Sequence, residues 1–108
     1  MSKDFRGGAY FSLRDIGWPI GGRIRADYPL ACLRLTDEAV VLRIPPLWRA
    51  ARPIVIDRHC LAVSRPDERL YGLRVRALKF AAADGRWFYF NDPTKGLDAE
   101  LRDQGLLP

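Results

Sequence analysis

Residues 31–44 read ACLRLTDEAVVLRI, and this stretch decides the fold. Leu33 and Leu35 alternate with Arg34 and Thr36. Further along, Val40, Leu42 and Ile44 alternate with Val41 and Arg43. Side chains two apart share one face of a strand, so each half has an apolar side and a wet side. Thr36–Asp37–Glu38–Ala39 is the turn between the halves, because a short acidic side chain bonds nearby backbone and competes with the ladder. A lone hairpin is marginal in water, so further strands must cover its apolar face.

Toward the C-terminus, Pro45 and Pro46 end the second strand. Ile54–Asp57 and Cys60–Ser64 read as two more strands. Leu73, Val75 and Ala77 then alternate with Arg74 and Arg76 in the cleanest amphipathic strand. Asp84–Gly85 is a hairpin signal. The strand after it, Arg86–Asn91, sets Trp87 and Tyr89 against Phe88 and Phe90. It is apolar on both sides and must be covered twice, by the core and by the N-terminal segment or a helix. Asp92 and Pro93 start that helix as N-cap and first helical residue. Leu97 and Leu101 form its buried stripe, and Asp98 and Arg102 an exposed pair. Gly105 ends it, with Leu106 turning back onto Leu101. The inward set is Leu33, Leu35, Val40, Leu42, Ile44, Ile54, Ile56, Leu61, Val63, Leu73, Val75, Phe88, Phe90, Leu97 and Leu101.

Toward the N-terminus the pattern breaks. Gly7, Gly8, Gly17, Gly21 and Gly22, with Pro19 and Pro29, punctuate residues 1–30 too often for a long element. Yet Phe5, Tyr10, Phe11 and Trp18 are too many aromatics for a disordered tail. Residues 1–29 are therefore expected as a partly ordered arm along the body or across a second subunit, with a short edge strand at Arg23–Tyr28. Residues 30–108 are expected as the domain proper.

At 108 residues the chain suits a single core. No stretch approaches the roughly 20 apolar residues of a membrane helix. MSKDFRGGAY lacks the apolar run of a secretory signal, and two cysteines, Cys32 and Cys60, are too few for a secreted disulfide framework of this size. Reduced thiols in the cytoplasm are expected. The net charge of +5 is uneven: residues 1–80 hold 15 basic and 8 acidic side chains, residues 81–108 hold 3 and 5. Fifteen of the 18 basic residues are arginine, which grips carboxylate and phosphate with a planar fork.

The stretches LRLTDEAVVLRI, RPIVIDRHCLAV, YGLRVRA and RWFYFNDPTKGLDAELRDQGL together resemble the small bacterial PH-like domains, relatives of the pleckstrin-homology and GRAM folds. The resemblance covers about residues 30–107 and lies in the strand pattern and terminal helix. It implies a mainly β fold: an antiparallel β-sandwich or partly open barrel of six to seven strands, closed by one C-terminal α-helix. It also implies binding without catalysis. Phosphoinositide-binding relatives carry a basic motif around their first hairpin. With Ala31–Ile44 as that hairpin, its acidic turn Thr36–Asp37–Glu38 argues against inositol-phosphate capture there.

Catalytic signatures are weak. His59 and Cys60 are adjacent and point apart in a strand, while Asp57 and His59 share a face only if the strand runs on. Ser2, Ser12 and Ser64 lack the glycines of a nucleophile elbow. No Cys-x-x-Cys or paired histidines suggest a metal, no glycine loop suggests a nucleotide, and no cofactor is expected. Binding residues are easier to nominate. Trp48 with Arg49 and Arg52 makes a hydrophobic wedge with a basic collar, suited to a protein groove or an anionic membrane surface. Arg34, Arg43, Arg74 and Arg76 all fall on wet strand faces and form a stripe if their strands adjoin, with Trp87 and Tyr89 nearby. A protein partner is the leading expectation, with homo-oligomerisation through the arm or an edge strand as one form of it. An anionic phospholipid surface is second. Nucleic acid is least favoured, because no RNP, KH or helix-turn-helix pattern is present.

Overall fold

A computed structural model describes residues 2–18, 21–44, 52–65, 69–70, 73–74, 77–94 and 96–107, with 69–70 and 73–74 as backbone only. In chain order the strands are β1 (Lys3–Ser12), β2 (Arg23–Leu35), β3 (Ala39–Arg43), β4 (Ile54–Asp57), β5 (Leu61–Ser64), β6 (Arg69–Leu70), β7 (Leu73–Arg74), β8 (Leu78–Ala82) and β9 (Trp87–Asn91). One helix, α1 (Gly96–Asp103), follows. Seven strands form one antiparallel, nearly closed barrel-like sheet in the order β4-β3-β2-β1-β9-β8-β5, so the mainly β expectation holds. β6 and β7 form a separate two-stranded pair among the described residues. No helix among the described residues is long and apolar enough to cross a membrane.

The 31–44 hairpin forms as read. Thr36 Oγ1 accepts the Ala39 N–H at 2.9 Å, and the Thr36 N–H donates to the Ala39 carbonyl at 2.9 Å. This closes β2 onto β3 with Leu35 opposite Val40 and Leu33 opposite Leu42. All four are sealed from solvent, as are Ile54 and Ile56 on β4. The hairpin is the second in the barrel, not the first.

The largest difference from the sequence reading lies in residues 1–29. Lys3–Ser12 is a central strand, paired with β2 on one side and β9 on the other. Phe11 is fully buried, and Arg23–Leu35 is one long strand instead of a short edge piece. The glycines that look like breaks have packing reasons. At Gly7, inside β1, a Cβ would collide with the backbone oxygen of Asn91 on β9. Glycine in a strand marks such a close approach. The β1–β2 register then shifts between Gly7, opposite Ala31, and Ala9, opposite Ala26. There β1 turns from one half of the barrel into the other.

A second correction concerns residues 73–82. The strand that joins the barrel is Leu78–Ala82, not Leu73–Ala77. Leu78 and Phe80 enter the core, and Phe80 stacks on Phe88 at 4.9 Å between centroids. Leu73 and Arg74 pair with Leu70 and Arg69 outside the main sheet, while Val75 and Arg76 lie outside the described residues. The Asp84–Gly85 turn forms, with the Ala82 N–H donating to the Arg86 carbonyl at 2.8 Å.

The two sheet edges, β4 and β5, are joined by a short 3-10 turn at Arg58–Cys60. The Arg58 N–H donates to Glu38 O at 3.0 Å, and Cys60 O accepts the Ala83 N–H at 3.0 Å, tying the turn to the neighbouring hairpins.

α1 covers the core with Leu97 and Leu101, both fully buried. Its entry differs from the expectation that Pro93 is its first residue. The helix begins at Gly96, and Asp92 caps it from outside: Oδ2 accepts the Leu97 N–H at 2.9 Å, while Oδ1 takes the Thr94 hydroxyl at 2.7 Å and N–H at 3.0 Å. Burial pushes the Asp92 carboxyl up, but the hydrogen bonds from Thr94, Leu97 and Gly96 outweigh it and hold it below the usual range. The exit is as read. Gly105 sits at φ 75°, the Leu106 N–H reaches Leu101 O at 2.9 Å, and the Gly105 N–H reaches Arg102 O at 3.1 Å. Asp98 pairs with Arg65 at 2.6 Å instead of Arg102, because β5 brings that arginine alongside.

Candidate functional site

Two outer faces of the barrel hold the candidate residues. The first spans β1 to β4. Register sets Asp4 opposite Arg34, Arg34 opposite Val41, and Val41 opposite Val55 in one row. The next row on the same face is Arg6, Cys32 and Arg43. Arg34 and Arg43 thus come together as the sequence suggested, and Arg6 joins them from the strand it missed. Arg34 grips Asp4 with a fork, Nε to Oδ1 at 2.8 Å and Nη2 to Oδ2 at 3.1 Å. That hydrogen bonding holds the Asp4 carboxyl below its ordinary range, with a smaller pull from Arg43. Among the described residues Arg6 and Arg43 have no ion-pair partner, so this face carries unmatched positive charge.

β4 is the terminal strand at this side of the sheet. Its side chains alternate strictly: Ile54 and Ile56 are sealed inside, and Val55 and Asp57 face out. Val55 is 42% exposed, high for an aliphatic residue in a strand. Asp57 sits opposite Ala39 and also lacks an ion-pair partner among the described residues. The sequence held this signal, because a valine between two inward isoleucines must point outward.

The second face spans β2, β1, β9 and β8. Tyr10 lies directly opposite Tyr89, and Trp87 is 5.9 Å from Tyr10 and 5.6 Å from Tyr89 by ring centroids. Arg23 lies over Trp87 at 5.2 Å and Lys79 over Tyr89 at 5.8 Å, both within cation–π range. Tyr10 is 9% and Tyr89 6% exposed, so these rings are packed rather than displayed. The second cover predicted for β9 is therefore built largely from its neighbours on the sheet: Tyr10 of β1 and the cations.

The remaining nominated residues do not assemble with these. Trp48, Arg49 and Arg76 lie outside the described residues, and Arg74 is described only by its backbone in β7. Arg52 is exposed. Its N–H donates to Ile16 O at 2.8 Å, and its side chain runs past Gly17 near the β1–β2 loop. The Asp57–His59 pairing depends on an unbroken strand, and the strand ends at Asp57, where the 3-10 turn begins. His59 and Cys60 are both exposed, and both cysteines are free thiols. Among the described residues no group of three metal-ligating side chains converges.

Comparison with family models, curated proteins and solved structures gives no match.

Proposed function

We propose that this chain is a non-catalytic binding module of PH-like kind that engages protein through the β4 edge, which has no second neighbouring strand among the described residues. The observation that carries the reading is Val55, an exposed aliphatic side chain on the terminal strand of the sheet. An unpaired strand edge is a template for another strand, with backbone bonds giving affinity and alternate side chains giving choice. The strand order supports the PH-like kinship, since the last strand pairs with the first and one terminal helix packs on the core. A cytoplasmic setting suits the two free thiols. A photo-crosslinking residue placed at position 55 of the full chain in cells tests the reading, with position 84 in an exposed turn as control. Discrete adducts from 55 that co-expressed wild-type chain competes away are expected. No adduct beyond the control overturns the reading.

A second reading is an anionic phospholipid surface meeting Arg6 and Arg43, favoured by the charge without ion-pair partners on the first face among the described residues. Flotation with neutral and with phosphatidylserine-containing vesicles separates it. Equal recovery from both removes it.

A further inference from the structure

We infer that the β4 edge pairs with the β4 edge of a second copy of this chain, in antiparallel register about Val55. The inference rests on the reading that β4 is the recognition edge, and it names the partner. The argument is self-complementarity. Antiparallel pairing puts directly opposite residues on the same face of the joined sheet. A two-fold axis through Val55 sets Val55 against its own copy on the outer face, and Ile54 against the second copy's Ile56 on the inner face.

The same axis carries Asp57 of the second copy to a position opposite Pro53. That is beside Arg43, which lies one residue past Leu42, itself paired with Ile54. Strands lie about 4.8 Å apart, so the two side chains start about two spacings from each other, within joint reach of an arginine and an aspartate. Arg43 and Asp57 are the two outward charges of this corner with no ion-pair partner in their own chain among the described residues. Symmetry makes the contact twice.

The register is specified. Moving the axis to Ile56 would set Val55 against Asp57 and press a carboxylate onto an aliphatic side chain, while Arg43 stayed unmatched. Four-residue strands bury far less than the roughly 1,200 Å² of a stable interface, so the dimer is weak and concentration-dependent.

The test is sedimentation of the full chain from about 10 μM to about 1 mM, spanning the affinities such a contact supports. Wild type, Arg43→Glu, Asp57→Arg and the double exchange are compared. Wild type should pass from monomer to dimer. Each single variant should weaken the dimer about tenfold, since two like-charge contacts replace two attractive ones. The double exchange should return to within about threefold of wild type. A wild type that stays monomeric throughout overturns the inference but leaves β4 open to another protein. A dimer indifferent to all three variants overturns it too and puts the contact elsewhere. Only the absence of crosslinks at position 55 removes the underlying reading as well.

Discussion

The two outer faces of this barrel share strands β1 and β2 and differ in what they do with them. Up to Gly7, β1 presents Asp4 and Arg6 to a face of charges, where the tight contact among the described residues is the exposed Arg34–Asp4 fork. Past the register shift it presents Tyr10 to a ring cluster in which Tyr10 and Tyr89 are almost closed to solvent and Trp87 is half-buried. The first face is a wetted surface whose charges add little to stability. The second is a thin extra core laid outside the sheet, so β9 is held between Phe88 and Phe90 inside and Trp87 and Tyr89 outside. Stability should therefore concentrate in the β1–β9–β8 half, leaving the β3–β4 half free to present an edge.

The strongest way to break this contrast is to cut the core beneath the aromatic face. Phe88→Ala should lower unfolding free energy in urea by about 3–5 kcal/mol, because the ring is sealed and stacked on Phe80. Tyr89→Ala sharpens it. A loss of about 2 kcal/mol is expected from its burial and ring contacts, and a loss under about 0.5 kcal/mol would make the outer cluster ordinary surface. Asp92→Ala removes the helix cap and should cost about 1–2 kcal/mol in the same assay.

Acid gives the next comparison. Asp4, Asp92 and Glu100 all have folded carboxyls held below their ordinary values, Glu100 by hydrogen bonds from Lys3 and then Gln104. A lowered folded pKa contributes stability above the unfolded value, and that contribution disappears as pH falls through the folded one. Stability should be level from neutrality to about pH 5 and drop below about pH 4. Asp92→Ala should flatten that drop more than Asp4→Ala, because Asp92 is nearly buried and Asp4 is half exposed. The smallest effect belongs to the charged face: Arg34→Ala should stay within about 0.5 kcal/mol of wild type.

Much of the sheet is written plainly in the chain. Leu33, Leu35, Val40 and Leu42 declare a hairpin because large side chains alternate without interruption. Gly105 and Leu106 declare the end of α1 because only a left-handed residue makes that stop. β1 hides because its inward row, Phe5, Gly7, Ala9 and Phe11, has small residues in the middle. The bareness of Gly7 answers to Asn91, far along the chain, so no local window explains it. β8 hides for a similar reason, its LKFAA pattern ending in two alanines beside the louder Leu73–Arg76. The site suffers from both. Arg34 and Arg43 read as outward, but their meeting with Arg6 and Asp4 depends on the missed strand. Val55 was legible as outward, and its exposure follows from β4 being last in the sheet, which only topology tells.

The pairing of Gly8 with Asn91 has a consequence for how this chain is made. A ribosome releases β1 long before β9 exists, so the central strand waits with one side bare and its aromatic residues unshielded. The barrel can close only when residues near 91 clear the exit tunnel, and long-range pairing of this kind is slow and prone to aggregation. Arrest of synthesis anywhere upstream of β9 should yield a chaperone client rather than a smaller folded piece.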